Sequence, residues 1–461
     1  MGRHRRWAPV AALLPPLLLT GCVVSVGGLP SVAEPSRADV EAGQVEVVGT
    51  DGGPVDQLAA NALADLQSFW DEQLPDVFGV AFEPLSGGFF SVDPDDVDPG
   101  VYPQGVGCGT DPRELESNAF YCQADGAANS DSISWDRAFL AELAGDSGRF
   151  LPALVMAHEF GHAVQARVGH PRTSILTETQ ADCLAGAWTA WVAAGEGEYT
   201  RIRETELDQV LGGYLQLRDP VGTGEFEQQA HGSFFDRVSA FQEGFDAGAE
   251  ACRDEFGPDR PFTQAEFTRD EDLATGGDAP YAEVETLVAD SLPQFWTRAF
   301  DEVLGGEFEP PSLEPFDGDP PSCADDPDLD LVACPDDGLV GYDDTDLARP
   351  LYDEIGDFAV LTAVSVPYAL AARDQLGLSA DDDEARRSAI CLTGWFAAAV
   401  ADGLLADVIR ISPGDVDESV QFLLTRARDE SVLPGLEISG FELVDLFRAG
   451  FLEGASACTV Q

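Results

Sequence analysis

The chain has 461 residues, 25 of them basic and 84 acidic, for a formal net charge of −59. A field that negative repels nucleic acid and anionic lipid surfaces, so both are poor partners and no nucleic-acid partner is expected. The hydrophobic share of 44% is ordinary for a protein with packed cores, and the length allows two or three domains.

In chain order, Arg3, Arg5 and Arg6 make a cationic start, and Ala8 to Leu19 make an apolar stretch too short to span a bilayer comfortably. It ends in Leu19-Thr20-Gly21-Cys22, which resembles a bacterial lipobox, where the cysteine is lipidated and becomes the mature N-terminus. The expectation is a lipoprotein signal peptide over residues 1–22 and export of the chain. Cys22 would then anchor it to the outer face of the cytoplasmic membrane. Residues 23–54 are rich in Gly, Pro, Ser and Glu and read as a flexible tether. A small β element is expected around Val80 to Val92.

Leu151 to Val168 reads as a helix. Pro152 suits its first turn, Gly169 and Pro171 stop it, and Leu151, Leu154, Val155, Val164 and Val168 supply an apolar side. It carries His158-Glu159-Phe160-Gly161-His162, although the chain has only five histidines. Two histidines four apart share a helix face and can bind one Zn²⁺, and the intervening glutamate can act as general base. A second helix opens at Ser174-Ile175-Leu176-Thr177 and runs to about Ala194. Glu178 and Asp182 lie one turn apart on it, and Ala181, Ala185, Gly186 and Ala187 let it pack closely on the first. This pattern assigns His158, His162 and Glu178 as ligands of one zinc per chain, with Glu159 as the base. Asp182 would accept a hydrogen bond from a ligand histidine's other ring nitrogen. His170, beside Pro171 in a turn, reads as a surface residue.

The chain also repeats itself. Ala230 to Cys252 aligns without a gap with Leu436 to Cys458, matching Phe235 with Phe441, Phe241 with Phe447, Gly244 with Gly450, Phe245 with Phe451 and Gly248 with Gly454. The surroundings of Cys183 and Cys391 match, as do Phe69-Trp70 and Phe295-Trp296. Two copies of one domain are expected, at 55–255 and 280–461, with a linker at 256–279. Beyond Cys22, an even set of eight cysteines on an exported chain points to disulfides. The repeat favours Cys108–Cys122 and Cys323–Cys334 as local bridges and Cys183–Cys252 and Cys391–Cys458 as long ones. Pairing Leu154–Arg167 with Val360–Arg373 sets Val364, Ser365 and Tyr368 opposite His158, Glu159 and His162. Arg386, Ile390 and Glu437 fall opposite Glu178, Asp182 and His231. The second copy is therefore expected to bind no metal and to be non-catalytic.

The motif at 158–162, the segment Thr177 to Trp188 and the segment Ala230 to Arg237, with the glycine-rich Phe241 to Gly248, together resemble the bacterial predicted neutral zinc metallopeptidase family, itself similar to the gluzincin peptidases. The resemblance covers about 55–255. The motif regions read as amphipathic helices with few alternating strands, so a mainly α fold with a minor β element is expected, and the repeat makes the second domain a degenerate duplicate. The resemblance implies a zincin-like helical metallopeptidase domain and zinc-dependent hydrolysis of peptide bonds in a peptide or protein substrate. His231 falls in the family's His-Gly-Ser/Thr segment. It either donates to the developing oxyanion or orders the helix that starts near Ser233. Arg237 is either an oxyanion or substrate partner or an ion-pair partner of an acid. The alternative function is a surface-anchored binding or assembly protein with a structural or vestigial zinc site.

Overall fold

The computed structural model describes residues 45–324 and 326–460. Helix outweighs strand, 54% to 7%, so the protein is mainly α-helical with small sheets. The stretch expected to be a signal peptide, the expected lipidation at Cys22 and the expected tether up to residue 44 lie outside the described residues. Among the described residues no helix is long and apolar enough to cross a membrane.

The first half runs β1 (Val47–Val48), α1 (Pro54–Gln73), β2 (Gly88–Val92), β3 (Ala119–Cys122), β4 (Ser132–Asp136), α2 (Arg137–Asp146), α3 (Leu151–Val168), α4 (Ser174–Ala193), α5 (Glu204–Leu217) and α6 (Phe234–Asp254). Its sheet has the order β1-β2-β4-β3, with β2 parallel to β4 and β3 antiparallel on the free edge. Two expectations change here. The strand expected over Val80 to Val92 begins only at Gly88, because Pro84 and the Gly87-Gly88 pair interrupt the earlier residues. Residues 45–53, read as the end of a tether, belong to the fold. Val47 and Val48 pair with Phe89 and Phe90, and Arg137 donates to the Gly49 carbonyl at 2.6 Å.

The segment read as a linker carries a short α7 (Asp270–Thr275) and a buried Gln264 that donates to Asp219 at 3.0 Å, so it too is packed. The second half follows with α8 (Tyr281–Ala299), β5 (Ser312–Phe316), β6 (Leu331–Cys334), β7 (Leu339–Asp343), α9 (Arg349–Glu354), α10 (Asp357–Gln375), α11 (Asp383–Ala401), α12 (Asp415–Thr425) and α13 (Gly440–Glu453).

The two halves repeat one topology. Strand β5 pairs in parallel with β7 and β6 pairs antiparallel with β7, as β2 and β3 do with β4. The ring pairs Phe69–Trp70 and Phe295–Trp296 sit edge-on at 4.9 and 5.2 Å. Four disulfides join Cys108–Cys122, Cys183–Cys252, Cys323–Cys334 and Cys391–Cys458, the pairing the repeat favours. The long ones close loops of 69 and 67 residues, each removing about 4 kcal/mol of unfolded-state entropy in the chain-entropy model.

One hydrophobic core runs through both halves. At their junction Phe235 meets Phe451 at 4.7 Å and 59°, while Phe245 meets Phe441 at 4.8 Å and 57°. Each contact is the other with the copies exchanged, as at an isologous interface between identical subunits.

Within each half the helices cross at backbone contact. A Cβ on Gly244 would fall on the Cys183 carbonyl oxygen, and one on Gly450 on the Cys391 carbonyl oxygen. Helix propensity favours Ala over Gly by about 1 kcal/mol, whereas forcing a methyl into a closed backbone contact costs about 3 kcal/mol. Sterics win. Gly244→Ala and Gly450→Ala are each expected to lower stability by about 2 kcal/mol net in denaturant unfolding; a stabilised variant would mean that these crossings are loose.

Candidate metal centre

The site is built where α3 crosses α4. A Cβ on Gly161 would stand 3.0 Å from the Ala181 Cα, so the two helices meet with almost no side chain between them. His158 and His162 lie one turn apart on α3, and Glu178 and Asp182 one turn apart on α4. The close crossing turns both pairs toward one point.

His158 Nε2 stands 3.2 Å from His162 Nε2 and 3.2 Å from Glu178 Oε2, and His162 Nε2 stands 3.5 Å from the same oxygen. Four ligands placed tetrahedrally at Zn–N and Zn–O distances near 2.0–2.1 Å are about 3.3–3.4 Å apart, so the triangle has the right size. Its donor chemistry fits too. His158 Nδ1 faces Asp182 Oδ1 at 2.8 Å and His162 Nδ1 faces Gln165 Oε1 at 2.9 Å. The Gln165 amide is oriented by its own donations to Thr177 O and Gln180 Oε1, at 2.7 and 3.0 Å. With both Nδ1 atoms donating, each neutral imidazole turns an Nε2 lone pair inward. Two lone pairs and a carboxylate oxygen then converge with no donor among them, an arrangement a cation satisfies.

Without a cation, protons take that role. Burial disfavours the His158 imidazolium, but Asp182 and Glu178 outweigh it and hold it up at about 10. His162 is also raised, burial again opposing and Glu178 prevailing. Burial likewise opposes the charge on Glu178, yet the two imidazoles keep its carboxyl far below the ordinary range. Asp182 is fully buried and nonetheless held low, by Arg237 and His158. Arg237 grips it with two hydrogen bonds, Nε to Oδ2 at 2.8 Å and a terminal nitrogen to Oδ1 at 2.9 Å. Its guanidinium also lies 5.2 Å from the Tyr214 ring centre. Of the two readings of Arg237, the ion pair is the one the structure contains.

Glu159 is buried, and Tyr121 N, on the edge strand β3, donates to its Oε2 at 2.7 Å. Burial pushes its carboxyl up, against the pull of both histidines. These side chains line a cavity of about 970 Å³ bordered by Asn118 to Gln123 of the β3 edge and by His170, Tyr214 and His231. His170 is exposed, its Nδ1 set against the Pro171 carbonyl oxygen at 2.7 Å. His231 is not brought into contact with the four clustered residues. It stands half exposed on the cavity wall, its Nδ1 3.0 Å from Asp219 Oδ1 and its backbone N–H donating to Oδ2. The cap of α6 is the Ser233 hydroxyl, which accepts from Asp236 N, so His231 has no part in it.

Two supports went unnoticed in the sequence. Gln165 lies three residues after His162 on the same helix face, a spacing that could have signalled it. The Tyr121 amide could not have been found, since a backbone group carries no residue signal.

At the equivalent place in the second half, Val364, Ser365, Tyr368 and Ile390 are buried. Ser365 donates to Thr393 Oγ1 at 2.7 Å, and Tyr368 packs on Phe308 at 6.2 Å. Arg386 is half-buried and Glu437 exposed. Among the described residues no metal-ligating group gathers there.

No family model matches the chain. An uncharacterized protein of Mycobacterium tuberculosis is 29% identical over 175 residues, covering 33% of this chain and 59% of the relative. The uncharacterized protein YpfJ of Escherichia coli is 30% identical over 179 residues, covering 33% and 58%. The chain thus spans less than two thirds of these relatives' length. No solved structure matches it.

Since protons and metal compete for the same two Nε2 atoms, zinc affinity is expected to fall with pH through the neutral range, by about one to two log units per pH unit. Competition with a chromophoric chelator measures this, and a pH-independent affinity would place the metal elsewhere. Asp182→Asn is expected to weaken zinc binding about 10–100-fold, with circular dichroism checking that the fold persists.

Proposed function

We propose that the protein is a zinc-dependent metallopeptidase of the predicted neutral zinc metallopeptidase type, lipid-anchored at the outer face of the cytoplasmic membrane through Cys22. The observation that carries the catalytic reading is the convergence of His158 Nε2, His162 Nε2 and Glu178 Oε2 without a donor, beside a buried glutamate in an open cavity. Zinc held there would supply Lewis-acid polarisation and neutralise negative charge.

The chain's own residues do the rest. Glu159 takes the proton from the attacking water and passes it to the leaving amine, and burial raises its carboxyl above the ordinary value, which makes it a better proton acceptor than a free carboxylate. Tyr121 N–H holds Glu159 Oε2, fixing the direction of the carboxylate. Arg237 and Asp182 lock His158 in one tautomer and orientation. His231, half exposed on the cavity wall, is the group available to donate to the oxyanion. The edge strand β3 borders the cavity, so an extended peptide can lie along it and present its carbonyl beside Glu159. The second half covers and braces the first through the shared core.

The alternative, a binding or assembly protein with structural zinc, needs a closed site with a fourth protein ligand. The clustered group has three, His158, His162 and Glu178, which favours the catalytic reading. Glu159→Gln is expected to keep one zinc per chain and to lower cleavage of a peptide library by about 10²–10⁴-fold. Undiminished cleavage by that variant would overturn the role of Glu159. One zinc with no cleavage of any peptide by the unaltered protein would favour the binding protein.

A further inference from the structure

A second group of acids lies in the other half of the molecule. One carboxylate oxygen from each of Asp278, Asp357 and Glu418 falls within 4.8 Å of the others, and Asp415 stands at the start of the same helix as Glu418. Three of these four are buried: Asp357 is 8%, Asp415 4% and Glu418 8% exposed.

The backbone already occupies one side of the group. Ala279 N donates to Asp357 Oδ2 at 2.8 Å, Phe358 N to Glu418 Oε2 at 2.8 Å, and Ser412 N to Asp415 Oδ2 at 2.7 Å. The opposite oxygens, Asp357 Oδ1 and Asp415 Oδ1, are buried and accept no hydrogen bond. Two buried, unpartnered carboxylate oxygens are a cost that native structures avoid unless a ligand meets them.

Among the described residues no arginine meets them. Arg269, Arg349 and Arg426, which flank these segments in sequence, are engaged by Asp272, the Tyr281 ring and Glu354. The first half supplies a contrast. There the buried acid at the start of α5, Glu206, is met by both Arg149 and Arg203 at 2.8 Å. The three segments also share a device: Gly277, Gly356 and Gly414 each precede an acid of the group, at φ of 118°, 152° and 103°. A Cβ on Gly356 would fall on the Glu418 carboxylate, so only glycine admits that side chain.

We propose that Asp278, Asp357 and Glu418, with the Asp415 carboxylate one turn before Glu418 on the same helix, form a buried calcium site that staples the interdomain segment to α10 and α12. The group is all oxygen, and ligand atoms up to 4.8 Å apart suit a cation with bonds of about 2.4 Å. Magnesium fits less well, since it keeps its waters and demands a tight octahedron. This site is separate from the zinc centre and does not rest on the peptidase reading.

The test uses the full chain, stripped with chelator, given one equivalent of Zn²⁺, and titrated calorimetrically with CaCl₂ or MgCl₂ in 0.15 M salt. The expected result is one Ca²⁺ per chain with a Kd of about 10⁻⁴ M or below, at least roughly tenfold weaker Mg²⁺, and a thermal midpoint raised by a few degrees at saturating calcium. In Asp357→Asn/Glu418→Gln both the binding and the rise disappear; Asp415→Asn, a milder change, weakens both. Absence of saturable calcium binding to the unaltered chain would overturn the proposal, whatever the variants do. So would equal calcium binding in a folded double variant, which would place the ion elsewhere on the acidic surface. A midpoint that climbs on acidification and ignores both calcium and chelator would also overturn it, showing protons shared between the carboxyls.

Discussion

Backbone contact between helices sets the positions of everything else in this protein. Where α3 meets α4, Gly161 lies against Ala181; where α4 meets α6, Gly186 and Gly244 let each helix touch the other's carbonyls. Packing this close leaves little freedom in crossing angle or register, because the contacts are made by rigid backbone rather than by side chains that can turn. Residues within one turn of the contact inherit that rigidity. His158, His162, Glu178 and Asp182 are such residues. The disulfide Cys183–Cys252 ties the α4–α6 pair near the same crossing.

The second half separates the scaffold from the chemistry. Gly394 and Gly450 stand where Gly186 and Gly244 do, and the bridge Cys391–Cys458 repeats Cys183–Cys252. The polar centre is gone, replaced by buried Val364, Tyr368 and Ile390, with Ser365 satisfied by Thr393. A helix pair held by glycine contacts does not need the polar cluster, so the cluster can be exchanged for apolar packing. In the first half it must be satisfied as a whole. Asp182 balances Arg237 on one side and His158 on the other, and an unpaired member would leave a charge in the core.

The long helices and the repeat were legible in the chain because both leave signals in residue identity. The helix Leu151–Val168 announces itself by Pro152 and Gly169, and the two copies by phenylalanine, glycine and cysteine at matched intervals. The short strands were not legible. Strands β3 and β4 are four and five residues long, and their pairing depends on partners distant in sequence, which no local pattern records. Composition misled at residues 45–53 and left the packing of residues 256–279 unseen. Gly, Pro and acidic residues read as loose chain at the first, but Val47 and Val48 join a sheet; the second, read as a connection between the copies, is packed, with Gln264 buried against Asp219. A segment's own residues do not reveal what other surface is waiting to receive it.

By itself the sequence determined which side chains could chelate a metal, since helical spacing alone puts His158 beside His162 and Glu178 beside Asp182. It also determined that only one of the two copies carries them, because identity at matched positions needs no coordinates. The tertiary structure decided what each group faces. It set Arg237 on Asp182, Gln165 on His162 and the Tyr121 amide on Glu159, and it left His231 apart on the cavity wall. It also gathered acids from three separate segments into one buried group. Periodicity reports the face of a single helix, whereas contacts between elements depend on crossing geometry, and that exists only once the chain has folded.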